Sequence, residues 1–398
     1  MTENILNELM IKKSKIVNKI KSEEPKFVKL GEYVISVKGK KPKRISNVKT
    51  KECSLPYVNI KAFEKGVIDE YTDGVGCVIC EEGDFLMVWD GSRSGYIGKG
   101  IKGALGSTLV KLHFPDIDNN YAYYFLLSKY IEINTRVKGV GIPHVDPNLL
   151  WNYELRIPSR KTQQAIVAKI EELFSELDKG IANLKTAQQQ LKTYRQAVLK
   201  WAFEGKLTNK NVKEGELPKG WKWTTLNQVC DLKAGLFVKA NEIIDEQITS
   251  LYPCYGGNGL RGYTKTYTHK GEYSLIGRQG ALCGNVHLVN GTFHATEHAV
   301  VVTPKEKFDT KWLFYKLIAM KLNQYSSGVA QPGLSVNKLM PIEIIIPATL
   351  EQQLLIVEEI ENRLSVADKM EESINQSLQQ AEALRQSILK MAFEGRLL

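Results

Sequence analysis

The 398-residue sequence contains no run of eighteen consecutive apolar residues, so no membrane-spanning helix is expected. Its opening residues, MTENILNELMIKKSKIVNKI, lack the apolar core and small-residue cleavage site of a secretory leader, which makes the cytoplasm the expected location. There is no G-x-x-x-x-G-K-[ST] phosphate loop, which excludes a P-loop motor. Nothing marks a dinucleotide or S-adenosylmethionine site, and no Asn-Pro-Pro-Tyr-like adenine-methylation loop occurs. Cysteines are few and scattered (Cys53, Cys77, Cys80, Cys230, Cys254 and Cys283), a distribution that suits reduced, buried thiols rather than a disulfide scaffold. Acidic residues are outnumbered, 44 against 54 Lys and Arg, and the net charge of +10 points to an anionic partner.

What the sequence does contain is itself, twice. Residues 195–207 read RQAVLKWAFEGKL and residues 385–397 read RQSILKMAFEGRL, 190 positions later. The same offset relates Ile166 and Val167 to Ile356 and Val357, and Asp178 and Lys179 to Asp368 and Lys369. With one residue of slippage, Gly139, Pro143 and Pro158 match Gly328, Pro332 and Pro347. A period this long implies duplicated domains rather than a solenoid.

The repeated tail is helical by pattern. Ile166, Ile170, Leu173, Leu177, Ile181, Leu184, Leu191, Tyr194 and Val198 recur at threes, fours or sevens among Lys, Glu, Gln and Asn, and Gly180 is the one glycine between residues 161 and 204. The second copy repeats the stripe with Ile356, Ile360, Leu364, Ala367, Met370, Ile374, Leu378, Ala381 and Ile388. Such spacing predicts a coiled coil, and about 40 residues make a rod on the order of 60 Å. Each stripe needs burial, and the other copy is the available partner. Because the second variable region lies between the two helices, side-by-side packing makes the pair antiparallel, with approximate two-fold symmetry.

The variable regions carry short strand-like stretches at residues 77–80, 84–89, 299–302 and 342–346, glycine-rich turns, and one helix near each end, at residues 121–131 and 311–323. The fold class is α+β, with two similar α+β domains joined by two long helices. Expected boundaries are an N-terminal helical extension at 1–25 (amphipathic over 5–20), domain 1 at 26–159, helix 1 at 160–204, domain 2 at 205–348 and helix 2 at 349–398.

Two motifs invite a catalytic reading. His294, Glu297 and His298 match H-x-x-E-H, the signature of a zinc-dependent hydrolase, but their flanks read as a turn and a β-strand. On a strand, residues four apart stand about 13 Å from each other, too far for one metal, so no metal site is expected. Cys77 and Cys80 have no second pair to complete a zinc ribbon and read as a strand. The chain is therefore expected to be non-catalytic, with a protein-binding coiled-coil scaffold as a further alternative.

What remains are basic, glycine-rich loops with interleaved aromatic and amide side chains. Domain 1 offers Lys38, Lys40, Lys41, Lys43 and Arg44, then Ser92, Arg93, Tyr96 and Lys99. Domain 2 offers Tyr255, Asn258, Arg261 and Tyr263, then Arg278 and Gln279. Lys supplies salt-dependent phosphate contacts, Arg pairs bidentately with guanine, and Asn or Gln with adenine. Loops of similar chemistry in both copies point to double-stranded DNA.

At these residues the chain resembles the specificity subunits of Type I restriction–modification systems, over nearly its whole length. The most specific likeness lies in the helix endings 199–207 (LKWAFEGKL) and 389–397 (LKMAFEGRL), the opening 217–223 (LPKGWKW), and segments 252–263, 275–281 and 295–299. The resemblance implies that each domain reads half of a bipartite, asymmetric DNA site. It also implies that the helices set the spacer and dock two modification (methyltransferase) subunits through Arg195, Phe203, Glu204, Arg385, Phe393 and Glu394. Adenine N6 methylation with S-adenosylmethionine, and ATP- and Mg-dependent cleavage by restriction subunits where present, would reside in the partners. The chain itself would hold no cofactor, and it would be associated with the nucleoid of a bacterial or archaeal cell. In domain 1 the opening Lys26, Phe27, Val28 and Lys29 lacks the Trp-rich lead-in of domain 2.

Overall fold

The structure, a computed structural model, describes residues 26–139, 141–209, 212–213, 215–280, 282–328 and 332–398. The helix expected over 5–20 lies outside the described residues. The chain forms two compact units, one running to Asn183 and including Ser377–Leu398, the other Leu184–Gln376. Among the described residues no helix is long and apolar enough to cross a membrane.

Unit 1 runs β1 (Lys26–Lys29), β2 (Ile35–Lys38), β3 (Leu55–Val58), α1 (Ile60–Lys65), β4 (Tyr71–Thr72), β5 (Ile79–Cys80), β6 (Phe85–Val88), β7 (Ile97–Lys99), β8 (Gly103–Leu105), β9 (Leu109–His113), α2 (Asn119–Thr135), α3 (Pro147–Trp151) and β10 (Glu154–Ile157), followed by the long helix α4 (Arg160–Phe203). Its sheets are ordered β2-β9-β6-β7 and β4-β3-β8-β5, with β1 paired to β10. Unit 2 contains β11 (Lys222–Thr225), α5 (Leu226–Val229), β12 (Cys230–Ala234), β13 (Tyr252–Gly256), β14 (Gly259–Thr264), β15 (His269–Gly277), β16 (Val286–Ala295), β17 (Ala299–Pro304), α6 (Thr310–Ala319), α7 (Val336–Leu339) and β18 (Glu343–Ile346), then helix α8 (Leu350–Phe393). Here one six-stranded sheet, β12-β17-β15-β16-β13-β14, accompanies the β11–β18 pair.

The two domains are versions of one design. Antiparallel β2–β9 corresponds to β12–β17, and β6–β9 to β15–β17. The parallel pair β3–β8 corresponds to β13–β16. The ten-residue β16 does continuously what β7 and β8 do in two pieces, which is why unit 1 has two sheets where unit 2 has one. β1, the opening without tryptophan, pairs with β10 as β11 pairs with β18, placing exposed Phe27 where β11 has exposed Trp223.

Some local readings change. The strand read at 77–80 shrinks to β5, because left-handed Gly74 and Gly76 turn the chain just before it. Helix α1 was not foreseen: six residues are too few for periodicity, although Asn59 caps it by accepting from the Ala62 amide and Gly66 ends it at φ 65. The helix read at 311–323 stops as α6, with Lys321 in the left-handed region before a 3-10 turn at Leu322–Tyr325.

Each unit has its own main core. In unit 1, Tyr121, Phe125 and Leu126 of α2 pack with Ile166, Ile170 and Phe174 of α4 and Ile388 and Leu389 of α8. In unit 2, Trp312, Leu313 and Leu317 of α6 pack with Val198, Ala202 and Phe203 of α4 and Ile356 and Ile360 of α8. Unit 2 also carries an exception: at the α6 position equivalent to Phe125 stands Lys316, buried, its ammonium 5.0 Å from the Phe203 ring. Burial lowers its pKa from 10.5 to about 8. Below pH 8 it is charged in both folded and unfolded chains, and its desolvation is a full penalty with an upper bound of about 3 kcal/mol. Between pH 8 and 10.5 the unfolded chain binds the extra proton, so the penalty fades. Lys316→Met is therefore expected to raise the melting temperature of unit 2 at pH 7, with the gain shrinking by pH 10.5. An equal gain at both pH values would contradict this.

The long helices pack antiparallel within each unit. In unit 2, Gln188 meets Asn375 at 3.1 Å and, seven residues on, Arg195 meets Asp368, seven residues back, at 2.5 Å. Glu371 adds a second carboxylate to Arg195 at 2.8 Å. In unit 1, Arg385 pairs with Asp178 and lies 4.6 Å from the Phe174 ring. These are exchanged copies of one contact, since Arg195 and Asp368 are the repeat counterparts of Arg385 and Asp178. The seam of α8 runs through Ala367, Ile374, Ala381 and Ile388, all buried, in steps of seven. Met370, read as part of that stripe, is 52% exposed and lies off the seam.

The repeated FEG endings have a geometric cause. Gly205 and Gly395 both sit at φ 75, where side chains are disfavoured, and close Schellman-type ends. The Gly205 amide donates to Ala202 O and that of Lys206 to Trp201 O, as Gly395 and Arg396 donate to Ala392 O and Met391 O. At the other helix ends, buried Gln163 and Gln353 accept from the backbone amides of Asp118 and Asp309, the N-caps of α2 and α6.

Candidate nucleic-acid interface

One end of each domain gathers three loops on a shared backbone frame. The first leaves β2 at Gly39 and β12 at Gly235. The Gly39 amide donates to Leu109 O and the Lys40 amide to Leu105 O; in unit 2 the Gly235 amide donates to Ala299 O and the Leu236 amide to Ala295 O. Both glycines are needed for close approach. A Cβ on Gly39 would stand 2.1 Å from Gly106 O, and one on Gly235 would stand 2.2 Å from Ala295 O.

The second loop follows β6 and β15. Val88 pairs with Leu109 as Gly277 pairs with Ala299, so Trp89 corresponds to Arg278, Arg93 to Leu282 and Ser94 to Cys283. The anchors are preserved with different chemistry: Ser94 Oγ donates to Trp89 O at 3.0 Å, and Cys283 Sγ lies 3.3 Å from Arg278 O. The third loop, residues 106–108 or 296–298, is tied to the second, because Trp89 N donates to Thr108 O and Arg278 N to His298 O.

The structure brings some expected residues together and separates others. Lys40, Lys41 and Lys43 are exposed on the first loop, and among the described residues none of them forms an ion pair. Lys38 is tied to Asp90 at 2.8 Å, joining the first loop to the second. Arg44 reaches Asp73 at 3.9 Å. Ser92 is exposed, and its carbonyl accepts from Asn134. Arg93 is held by Glu64 at 3.1 Å and stacks 4.3 Å from the Tyr96 ring, so Tyr96 orients it. Lys99 stands at the far end of β7, paired with Phe85, away from these loops.

In unit 2, Asn258 is exposed between β13 and β14, and the stem of Arg261 lies over Gly256. Tyr255 packs edge-on against Phe293, with its hydroxyl pKa raised by burial. Tyr263 sits at the other end of the hairpin, against Ile244 and 3.4 Å from Gln247. This hairpin corresponds to β3 and β4 of unit 1, and its short tip stands where unit 1 inserts α1 between those strands. Arg278 donates through Nη1 to Glu297 O at 3.1 Å, and exposed Gln279 bridges to Gly333. Arg278 Nε, Thr296 Oγ1 and Glu297 Oε2 are enclosed without a hydrogen-bond partner among the described residues. Arg93 and Arg278 thus occupy different positions of the same loop.

At the helix ends, Phe203 packs against Trp312, and half-buried Phe393 packs against Tyr121 and Phe125. Arg195 and Arg385 are engaged between the helices. Glu204 pairs with Lys206, and Glu394 pairs with Arg396. The sequence reading passed over Glu64, and over Leu236 and Phe237, which are 63% and 71% exposed on the first loop of unit 2. The spacing Gly39 to Lys43, repeated as Gly235 to Lys239, was the available signal.

The zinc-hydrolase alternative finds no support. His294 is buried at the end of β16, with Nδ1 at 3.0 Å from Thr266 Oγ1 and Nε2 at 3.1 Å from Leu236 O, so both ring nitrogens have partners. Among the described residues no three His, Cys, Asp or Glu side chains are grouped to hold a metal ion. Cys80 is buried against Ile101 O and Gly103 O, and burial pushes its thiol up to about 11, which makes it unreactive.

The family model for the Type I restriction modification DNA specificity domain matches residues 22–187 and again 218–380. The EcoprrI specificity subunit of Escherichia coli, a Type I restriction enzyme component, is 50% identical over 133 residues, a third of each chain. The MjaVIII specificity subunit of Methanocaldococcus jannaschii is 26% identical over 364 residues, covering 83% of this chain and 84% of that one. Among solved structures, a chain from work on assembly and conformational transition of the type I R-M system aligns with TM-score 0.74 at 19% identity, over 94% of this chain and 98% of that one. The HsdS subunit of Thermoanaerobacter tengcongensis aligns with TM-score 0.57 at 18% identity, over 94% and 97% of the two chains. These structural likenesses bear on fold; the family match covers most of the chain. The protein scaffold and hydrolase readings give way to it: the chain belongs to the Type I restriction–modification specificity family, and its role is DNA sequence recognition through two domains.

Proposed function

We propose that each unit reads one half of a bipartite, asymmetric site on double-stranded DNA, and that the chain performs no chemistry itself. The observation that carries this reading is the shared loop frame: identical backbone anchors in the two units present different side chains, as two readers of unlike half-sites require. Exposed Lys40, Lys41 and Lys43 suit phosphate contacts, while orientated Arg93 and Arg278 suit base edges. The antiparallel helices set the spacer between half-sites. Two modification subunits dock on the exposed helix faces near Glu204 and Glu394, beside buried Phe203 and half-buried Phe393. Adenine N6 methylation with S-adenosylmethionine, and ATP- and Mg-dependent cleavage, belong to those partners and to restriction subunits, in the cytoplasm and at the nucleoid.

Base-modification sequencing of DNA from cells expressing this chain with its modification partner tests the reading. A split, asymmetric methylated motif is the expected result. Arg278→Ala should relax one half of that motif and Arg93→Ala the other, each costing about 1–3 kcal/mol of discrimination. A continuous motif, or half-sites untouched by both substitutions, would overturn it.

A further inference from the structure

The first loop holds a contrast that the proposed reading leaves unexplained. Gly39 and Gly235 start the same turn with equivalent hydrogen bonds, and the residue three positions on, Pro42 or Val238, is buried in both. The two positions between point to solvent in both units. Unit 1 fills them with Lys40 and Lys41, whereas unit 2 fills them with Leu236 and Phe237. An exposed Leu-Phe pair at a loop tip is unfavourable in water and marks a contact surface. Its surroundings are polar: Leu236 O lies 3.1 Å from His294 Nε2, and the next loop holds Arg278 against Glu297. An exposed apolar pair beside polar groups suits DNA bases, whose faces and thymine methyls are apolar while their edges are polar.

We propose that Leu236 and Phe237 contact the bases of the half-site read by unit 2, at the position where Lys40 and Lys41 make charged contacts in unit 1. The inference rests on the DNA-reading role of the loops. It assigns the two units different modes at one position: salt-dependent in unit 1, salt-independent and sequence-selective in unit 2.

The test uses the full chain with its modification subunit, and a labelled duplex carrying the methylated motif. Phe237→Ala should weaken binding at least tenfold with no change in the slope of log affinity against log salt. Lys41→Ala should lower that slope by about 0.9, the release of one phosphate contact. Phe237→Lys should steepen the slope by a similar amount and lose preference for the unit 2 half-site. Replacing the thymines of that half-site with uracil separates a methyl contact, which then weakens binding to the wild type alone, from insertion between bases, which 2-aminopurine fluorescence reports. Phe237 is exposed, so unchanged melting of unit 2 is expected and confirms folding. Wild-type affinity for Phe237→Ala, alongside a lost half-site for Arg278→Ala, overturns this inference alone. No effect from either variant overturns the DNA-reading role of these loops as well.

Discussion

Replacing Trp312 with alanine is expected to destabilise unit 2 by about 3–5 kcal/mol while leaving unit 1 folded. Trp312 is fully buried, with Phe203 of α4 6.0 Å away and Phe308 6.3 Å away between ring centres, so its removal opens a cavity where the domain, α4 and α6 meet. The two main cores share helices but no residue, which confines the loss. Amide exchange followed by mass spectrometry checks this. Protection should fall in β12, β15, β17 and α6 and persist in β6, β9 and α2. Uniform loss across both units would show one cooperative core instead of two. Trp312→Phe is the milder control, because the indole Nε1 is buried without a hydrogen-bond partner among the described residues and its loss offsets part of the lost packing.

The second large effect concerns DNA. Gly39→Val and Gly235→Val each place a Cβ within 2.1–2.2 Å of a backbone carbonyl oxygen, where neither strand can yield easily. The first loop must then move off the third, breaking the amide bonds to Leu105 O and Leu109 O, or to Ala295 O and Ala299 O. Several contacts leave the interface together, so affinity should fall by about 2 kcal/mol or more, roughly 30-fold. Gly39→Val should erase selectivity for one half-site and Gly235→Val for the other, as read by methylation mapping of duplexes with either half scrambled. Loss of both half-sites from either substitution would mean that the two loops do not act separately.

Much of the architecture was legible in sequence because it is periodic. The seven-residue recurrence of Ala367, Ile374, Ala381 and Ile388, and the duplicated FEG endings, are local or regular signals. Met370 was misplaced because three-four spacing and seven-residue spacing overlap, and only packing shows which side chains the seam takes. Basic loops could be found by composition, yet their positions could not be aligned. Strand register makes Arg278 the counterpart of Trp89, and Arg93 that of Leu282. Lys99 and Tyr263 seemed to belong with their loops, but each lies at the distant end of a strand.

By itself the sequence determined the duplication, the two long helices, their antiparallel sense and the basic character of the loops. Those properties follow from periodicity, connectivity and charge, which act along the chain. The tertiary structure decided which loop positions are counterparts and which aromatic side chains turn inward. It alone joined residues 39–43 to residues 89–95 and 106–108, and so uncovered Leu236 and Phe237 at the place of two lysines. Those outcomes depend on hydrogen-bond register between distant strands, where a slip of one residue reverses the face of every side chain.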